Sequence, residues 1–286
     1  MITGTGGLGY ETAVALAAAG GRVILAGRNA EKGAQAVTSI TARTPGADVT
    51  FEALDLANLQ SVRDFAERLL GRAQPIHRLI CNAGIMSPPK LERTADGHEV
   101  QFGVNYLSHF ALTARLMPLL RAAPAARVVS VTSLAQNYAK LDLGNLDSEK
   151  AYHPGKAYCT SKLLQAMFAV ELQRRSDQAD WGITSVAAHP GFAGTNLFET
   201  GGAVSRLIST RIILPMIGQS AAGGAQSILL AATAADVRGG LLYGPTGFMH
   251  MRGAPGLGKY PALVHDEGLR AQVWKLSESL TGVSYE

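Results

Sequence analysis

The chain has 286 residues, 47% of them hydrophobic and 17% charged, enough to bury one large core. Its net charge of +4 comes from 26 Lys and Arg residues that are scattered without a run of five, which gives no support to nucleic-acid binding. Two cysteines, Cys81 and Cys159, are too few for a disulfide framework, and the opening residues do not form a signal peptide, so a cytoplasmic protein is expected.

The first feature in chain order is TGTGGLG, Thr3 to Gly9. Gly4, Gly6 and Gly9 satisfy G-x-G-x-x-G, in which glycines permit a tight turn, close approach of backbone to a pyrophosphate, and close packing of helix on strand. A helix is predicted over Tyr10–Ala19, stopped by Gly20 and Gly21, and then a strand over Arg22–Ala26. Strand, loop, helix and strand thus close within about the 30 residues of a βαβ unit. The unpaired amides and positive dipole end of that helix face the loop and attract phosphate. Only Met1 and Ile2 precede Thr3, whereas a strand has about five or six residues, so an upstream start or a trimmed terminus is expected.

The alternation continues with a helix near 30–43, a strand at Val49–Leu54, a helix at Leu59–Leu70 and a strand at Ile76–Cys81. A long helix around 97–121, interrupted at Pro118, leads to a strand at Arg127–Thr132, a helix near 155–176 and a strand at Ile183–Ala188. Apolar strands alternating with helices predict a Rossmann-like α/β fold: one doubly wound parallel sheet with helices on both faces, as a single domain over 1–286. Ligands in such sheets lie beyond the carboxyl ends of the strands. From Gly191 to about Arg238 the alternation lapses, and Phe192, Leu197, Phe198, Leu207 and Ile212 make the region apolar. Residues 192–218 are therefore expected to form a substrate lid within the domain. The uncharged stretch of 24 residues from Ile212 to Ala235 is broken too often, by Pro215, Gly218 and Gly223 among others, to span a membrane; a packed helix is expected in its second half. A strand at Gly240–Tyr243 and a helix from about His265 to Leu280 complete the prediction.

The residues with chemical promise fall at the ends of these strands. Tyr158 and Lys162 lie four apart on one helical face, where a cation favours the phenolate and lowers the tyrosine pKa, so that the phenol can relay a proton to or from a carbonyl or alcohol. Asn82, Ala83 and Gly84 follow the fourth strand, Thr132 and Ser133 end the fifth, Pro190 and Gly191 follow the sixth, and Asn105 sits inside the long helix. No H-E-x-x-H or C-x-x-C is present, so no metal site is expected, and no G-x-S-x-G supports a hydrolase.

The segments LICNAG, VQFGVNYLSHFALT, RVVSVTSLAQ, AYCTSKLLQAMFAVEL and AAHPGFAGTNL, in this order, resemble the short-chain dehydrogenase/reductase family over essentially the whole chain. The resemblance implies Tyr158 as general acid/base, with Lys162 lowering its pKa and holding the cofactor ribose. It further implies Ser133 on the substrate oxygen and Asn105 as the anchor of a water chain behind Lys162. Asn82, Ala83 and Gly84 are implied at the adenosine half of the cofactor, Asp55 with Leu56 at the adenine, and Thr195 near the nicotinamide, beside Pro190 and Gly191. By their residue types alone, Asp55 reads equally as a turn former, Asn105 as a helix polar residue, Ser133 as a strand-end hydroxyl and Thr195 as a helix cap.

The family loop is TGxxxGxG, and this one, through Gly4, Gly6, Gly7, Leu8 and Gly9, is one residue short; the TGxxGxxG of sugar-nucleotide epimerases and dehydratases would need glycine at Tyr10. Gly6 and Gly7 both permit positive φ, so the shortened turn is expected to aim amides at the pyrophosphate still. Arg28 and Asn29 follow the second strand with no acid before Glu31, which favours NADP(H) over NAD(H). The long insert between Ser133 and Tyr158, YLSHFALT and the tail GPTGFMHMRG resemble the retinol-dehydrogenase-like branch, implying a small apolar carbonyl or alcohol as substrate. The opening residues carry no apolar anchor of the kind found in membrane-anchored members, so a steroid- or retinoid-like substrate is not assumed. The helices at 97–121 and 155–176 are where the family builds a homodimer or homotetramer. Two alternatives remain open at this level: a non-catalytic NADP-binding regulator and a sugar-nucleotide epimerase or dehydratase.

Overall fold

The computed structural model describes residues 1–192 and 219–285. Eight strands form one sheet: β1 (Ile2–Thr3), β2 (Val23–Gly27), β3 (Val49–Ala53), β4 (Arg78–Cys81), β5 (Arg127–Val131), β6 (Thr184–Ala188), β7 (Leu242–Pro245) and β8 (Pro255–Leu257). Their order is β3-β2-β1-β4-β5-β6-β7-β8, parallel throughout except for β8, which returns antiparallel along β7. The order reverses between β1 and β4, and a crevice for ligands opens beyond the strand ends at such a reversal.

All five residues of β5 are buried, and its side chains alternate. Val128 joins one apolar layer, while Val129 and Val131 join the other. The first layer holds Phe65 of α3 (Leu59–Arg72), Phe110 of α4 (Ser108–Arg115), Leu163 of α6 (Pro154–Ala179) and Trp274 of a C-terminal helix, α8 (Glu267–Thr281). The second holds Ala13 and Ala17 of α1 (Gly7–Ala18), Ile40 of α2 (Ala30–Arg43) and Ile228 of α7 (Ala221–Thr233). The doubly wound α/β arrangement read from the sequence is the observed one.

The short first strand is central. Ile2 pairs with Leu25 on one side and Ile80 on the other, so its two residues are held by two neighbours. The Met1 amine donates to the Arg78 carbonyl at 2.8 Å, and burial lowers its pKa to about 5.

Three elements differ from expectation. The helix at 97–121 is not continuous: Phe102–Leu107 is π-helical, α4 ends at Arg115, and a break at Leu116 precedes α5 (Met117–Arg121). Pro118 lies in the first turn of α5, where its missing N–H has no intrahelical partner to lose, so the interruption falls before it. The lapse read up to about Arg238 ends earlier, at α7, the packed helix expected in the second half of Ile212–Ala235, which supplies the crossover into β7. The tail GPTGFMHMRG forms the connection from β7 to the unpredicted β8, with Met249 and His250 at φ of 49° and 58°. The expected lid at 192–218, apart from Phe192, lies outside the described residues. No described helix is long and apolar enough to cross a membrane.

Candidate active site

Thr3 ends β1, and the chain turns at Gly4, whose φ of +93° favours glycine. Gly6 is extended, and Gly7, at φ +53°, opens α1. Of the two glycines expected to use positive φ, only Gly7 does so. Gly9 is glycine for packing: a Cβ there would lie 2.7 Å from the Gly4 oxygen and 2.6 Å from Asn82 Nδ2. Gly6 is different, because its backbone is ordinary and a Cβ would meet nothing within 4 Å. The bare position leaves room at the head of α1, where Leu8 follows in the first turn. No side chain caps this helix and no acid stands in its first turn, so its leading amides and dipole are free to receive a pyrophosphate. The loop, one residue short, therefore fits a dinucleotide.

Asn82 and Thr3 bind this loop to the end of β4. Asn82 Nδ2 donates to the Thr3 carbonyl at 2.8 Å, and the Asn82 and Ala83 amides both donate to Thr3 Oγ1 at 2.9 Å. Thr3 Oγ1 also meets His109 Nε2 at 2.9 Å, and His109 Nδ1 lies 2.9 Å from the Asn105 carbonyl. A carbonyl only accepts, so Nδ1 carries the proton, Nε2 accepts, and the threonine hydroxyl donates. Burial lowers the His109 pKa to about 4, which keeps the ring neutral. Sequence reasoning missed both Thr3 and His109; the available signal was that His109 falls one helical turn after Asn105.

Asn105 sits in the π-helical segment, a form that recurs at functional sites. Its Oδ1 accepts from the Ile85 amide at 2.7 Å, while Nδ2 donates to the Ile85 carbonyl at 3.0 Å and to Ser161 Oγ at 2.9 Å. It thus clamps the loop after β4 to α6. Gly84 fits closely beside it: a Cβ there would stand 3.2 Å from Asn105 Oδ1 and 3.5 Å from Lys162 Nζ.

Tyr158 and Lys162 lie in the first turns of α6, against the end of β5. Thr132 Oγ1 donates to the Lys162 carbonyl at 2.7 Å, fixing the helix to the strand. Ser133 caps the short helical turn Leu134–Tyr138, its Oγ accepting from the Ala135 amide at 3.2 Å, and it lies near enough to the Tyr158 phenol to lower its pKa. Lys162 Nζ donates to the Val131 carbonyl at 3.0 Å and to Gln165 Oε1 at 2.7 Å, and lies 5.7 Å from the centre of the Tyr158 ring. Burial raises the Tyr158 pKa to about 12, opposed by the nearby Ser133 hydroxyl, and lowers that of Lys162 to about 7. The Tyr158 shift is thus upward, opposite in direction to the lowering that the spacing to Lys162 implies. Both groups are withdrawn from water by the same packing, and desolvation favours the neutral form of each.

The remaining candidates line the same edge of the sheet. Exposed Arg28 follows β2, while Asn29 is occupied as the cap of α2, accepting from the Lys32 amide at 2.8 Å. Asp55 Oδ1 accepts from the Ala57 amide at 2.9 Å, which is the turn-forming role, and Leu56 is buried in the core. Gly191, at φ +65°, packs against the Met251 carbonyl, and the Pro190 carbonyl accepts from Gln219 Nε2 at 2.6 Å. Thr195 lies outside the described residues. A surface cavity of about 480 Å³ lined by Arg115, Met117, Pro118 and Arg121 contains none of these groups, which makes the carboxyl ends of the strands the candidate site.

Comparison with known proteins agrees with this geometry. The short chain dehydrogenase family profile matches residues 1–203. The chain is 40% identical to human (Homo sapiens) retinol dehydrogenase 12 over 235 residues, 82% of this chain and 72% of that protein. It is 33% identical to human (Homo sapiens) polyprenol dehydrogenase over 289 residues, covering 98% and 83% of the two chains. A crystal structure of an uncharacterised protein from Mycobacterium Paratuberculosis superposes with a TM-score of 0.82 at 37% identity, covering 100% of this chain and 93% of that one. The chain belongs to the short-chain dehydrogenase/reductase family, in its retinol-dehydrogenase-like branch.

Proposed function

We propose that this protein is an NADP(H)-dependent oxidoreductase acting on apolar carbonyls and on primary or secondary alcohols. The observation that carries the reading is the meeting of Tyr158, Lys162 and Ser133 at the carboxyl end of β5, in the crevice that the glycine loop also faces. When bound, the nicotinamide supplies or accepts the hydride. Tyr158, protonated well above neutral pH, donates its proton to the substrate oxygen in reduction and recovers it in oxidation. Ser133 holds that oxygen beside the phenol. Lys162, with a pKa of about 7, binds the cofactor ribose and, in its charged form, favours the tyrosinate.

Asn105 keeps Gly84 and Ile85 against α6 and so shapes the floor of the crevice. Gly4, Gly6, Gly7, Leu8 and Gly9 receive the pyrophosphate, and Asn82, Ala83, Asp55 and Leu56 border the adenosine. Arg28 pairs with the 2′-phosphate, a bidentate match that NAD lacks. Retinol and polyprenol, in the names of the relatives, are apolar alcohols and support an apolar substrate here. In the same reading the chain is a single domain that works in the cytoplasm as a homodimer or homotetramer.

Titration of the full chain with NADPH and then NADH, followed by nicotinamide fluorescence, tests the cofactor assignment. Tighter binding of NADPH is expected. Equal affinity, or preference for NADH, overturns the role given to Arg28.

A further inference from the structure

Behind Lys162, on the face of β5 that packs against α6, lies a set of buried polar side chains that no step above uses. Ser130 and Thr132 alternate with Val129 and Val131 and so face α6; Thr132 Oγ1 contacts the Lys162 carbonyl and, at 3.3 Å, Gln136 Oε1. Gln136 and Gln165 are 1% and 2% exposed, and their Nε2 atoms, like Ser130 Oγ, have no hydrogen-bond partner among the described residues. A buried polar group without a partner is destabilising. Of Gln165's two polar ends only the oxygen is engaged, and its partner is Lys162 Nζ at 2.7 Å. A leucine of similar size would fill the same volume and lose nothing but that contact.

We propose that Gln165 is a positioning residue: its side-chain oxygen, with the Val131 carbonyl, fixes the Lys162 amine at the edge of the crevice and sets the pH range over which that amine is charged. The position of Nζ supports this, because it stands 3.5 Å from where a Gly84 side chain would be, at the boundary between the crevice and the buried polar set. The titratable groups that face Lys162 are Tyr158 on its own helix and His109 on α4, and neither supplies a negative charge at neutral pH. Two neutral oxygens are therefore what favours the ammonium against desolvation. The inference rests on the catalytic reading for its purpose, though not for its test.

The test is the side-chain nitrogen NMR signal of Lys162 in the full-length protein, assigned by its loss in Lys162→Met and titrated with pH. Gln165→Glu places a carboxylate at the same oxygen, and its midpoint is expected about 1–3 pH units above that of the unchanged protein; Gln165→Leu is expected below it. Identical midpoints in the unchanged protein and Gln165→Glu overturn the proposal, whether or not Gln165→Leu folds. A midpoint that moves in a protein that does not bind NADPH sinks the catalytic reading and leaves this one standing. Tyr158-dependent turnover with an unmoved midpoint does the reverse.

Discussion

At the β1 end of the crevice the groups offered to a ligand are backbone amides, and at the β5 end they are side chains. The glycine loop is shaped by what it lacks: Gly9 by contact with the Gly4 oxygen and Asn82, Gly6 by open space. Tyr158 and Lys162 are instead packed so deeply that burial alters their protonation, to about 12 and about 7. Backbone recognition tolerates a missing residue as long as the amides still converge, whereas the side-chain end depends on the identity and charge of single atoms. In the proposed reading one end binds the cofactor and the other moves a proton.

The sharpest way to separate the two ends is Tyr158→Phe, which removes only the phenolic oxygen. Turnover is expected to fall by about 100- to 10,000-fold, with NADPH affinity unchanged in a fluorescence titration; comparable turnover would remove Tyr158 from the chemistry. The next effect concerns neutral burial. His109 and His189, both held at about 4, bind protons in the unfolded chain at the ordinary value near 6.5 and in the folded one only near 4. Between these values the unfolded state holds more protons, so stability falls as pH falls from about 6.5 to about 4 and is not lost further by these groups below that. Denaturant melts across that range are expected to show the loss, on the order of a few kcal/mol. A flat profile would contradict the neutral assignment that makes His109 an acceptor for Thr3.

Gly9→Val attacks the backbone end. Its new side chain meets the Gly4 oxygen and Asn82, and the expected result is a destabilisation of about 1–3 kcal/mol in thermal melting together with weakened NADPH binding. Unchanged binding would mean that the loop is not the pyrophosphate site. The smallest effect is at Arg28→Ala, which is expected to weaken NADPH binding by about tenfold, near 1.4 kcal/mol, and leave NADH alone.

Much of this was legible from the sequence because it depends on periodicity and on residue type. The βαβ order, the bounds of α2 at 30–43, the placing of Tyr158 and Lys162 on one helix and that of Ser133 after β5 all follow from local pattern. What was not legible depends on partners distant in sequence. Thr3 meets His109 across 106 positions, a contact that no local pattern marks. The helical spacing to Lys162 announces a cation, while the burial that raises the Tyr158 pKa and lowers that of Lys162 is a property of the assembled core. Asp55 and Asn29 showed the converse: their side chains are spent on local turns and caps, as their residue types allow.

The central claim is hydride transfer to an apolar carbonyl, and its most direct test is NADPH consumption by the full-length protein with a panel of apolar aldehydes and ketones. The absorbance of NADPH is followed and the alcohol product identified. Consumption matched one for one by alcohol, and lost in Tyr158→Phe, is the predicted result. Tight NADPH binding with no consumption across the panel, or consumption indifferent to Tyr158, would contradict the account.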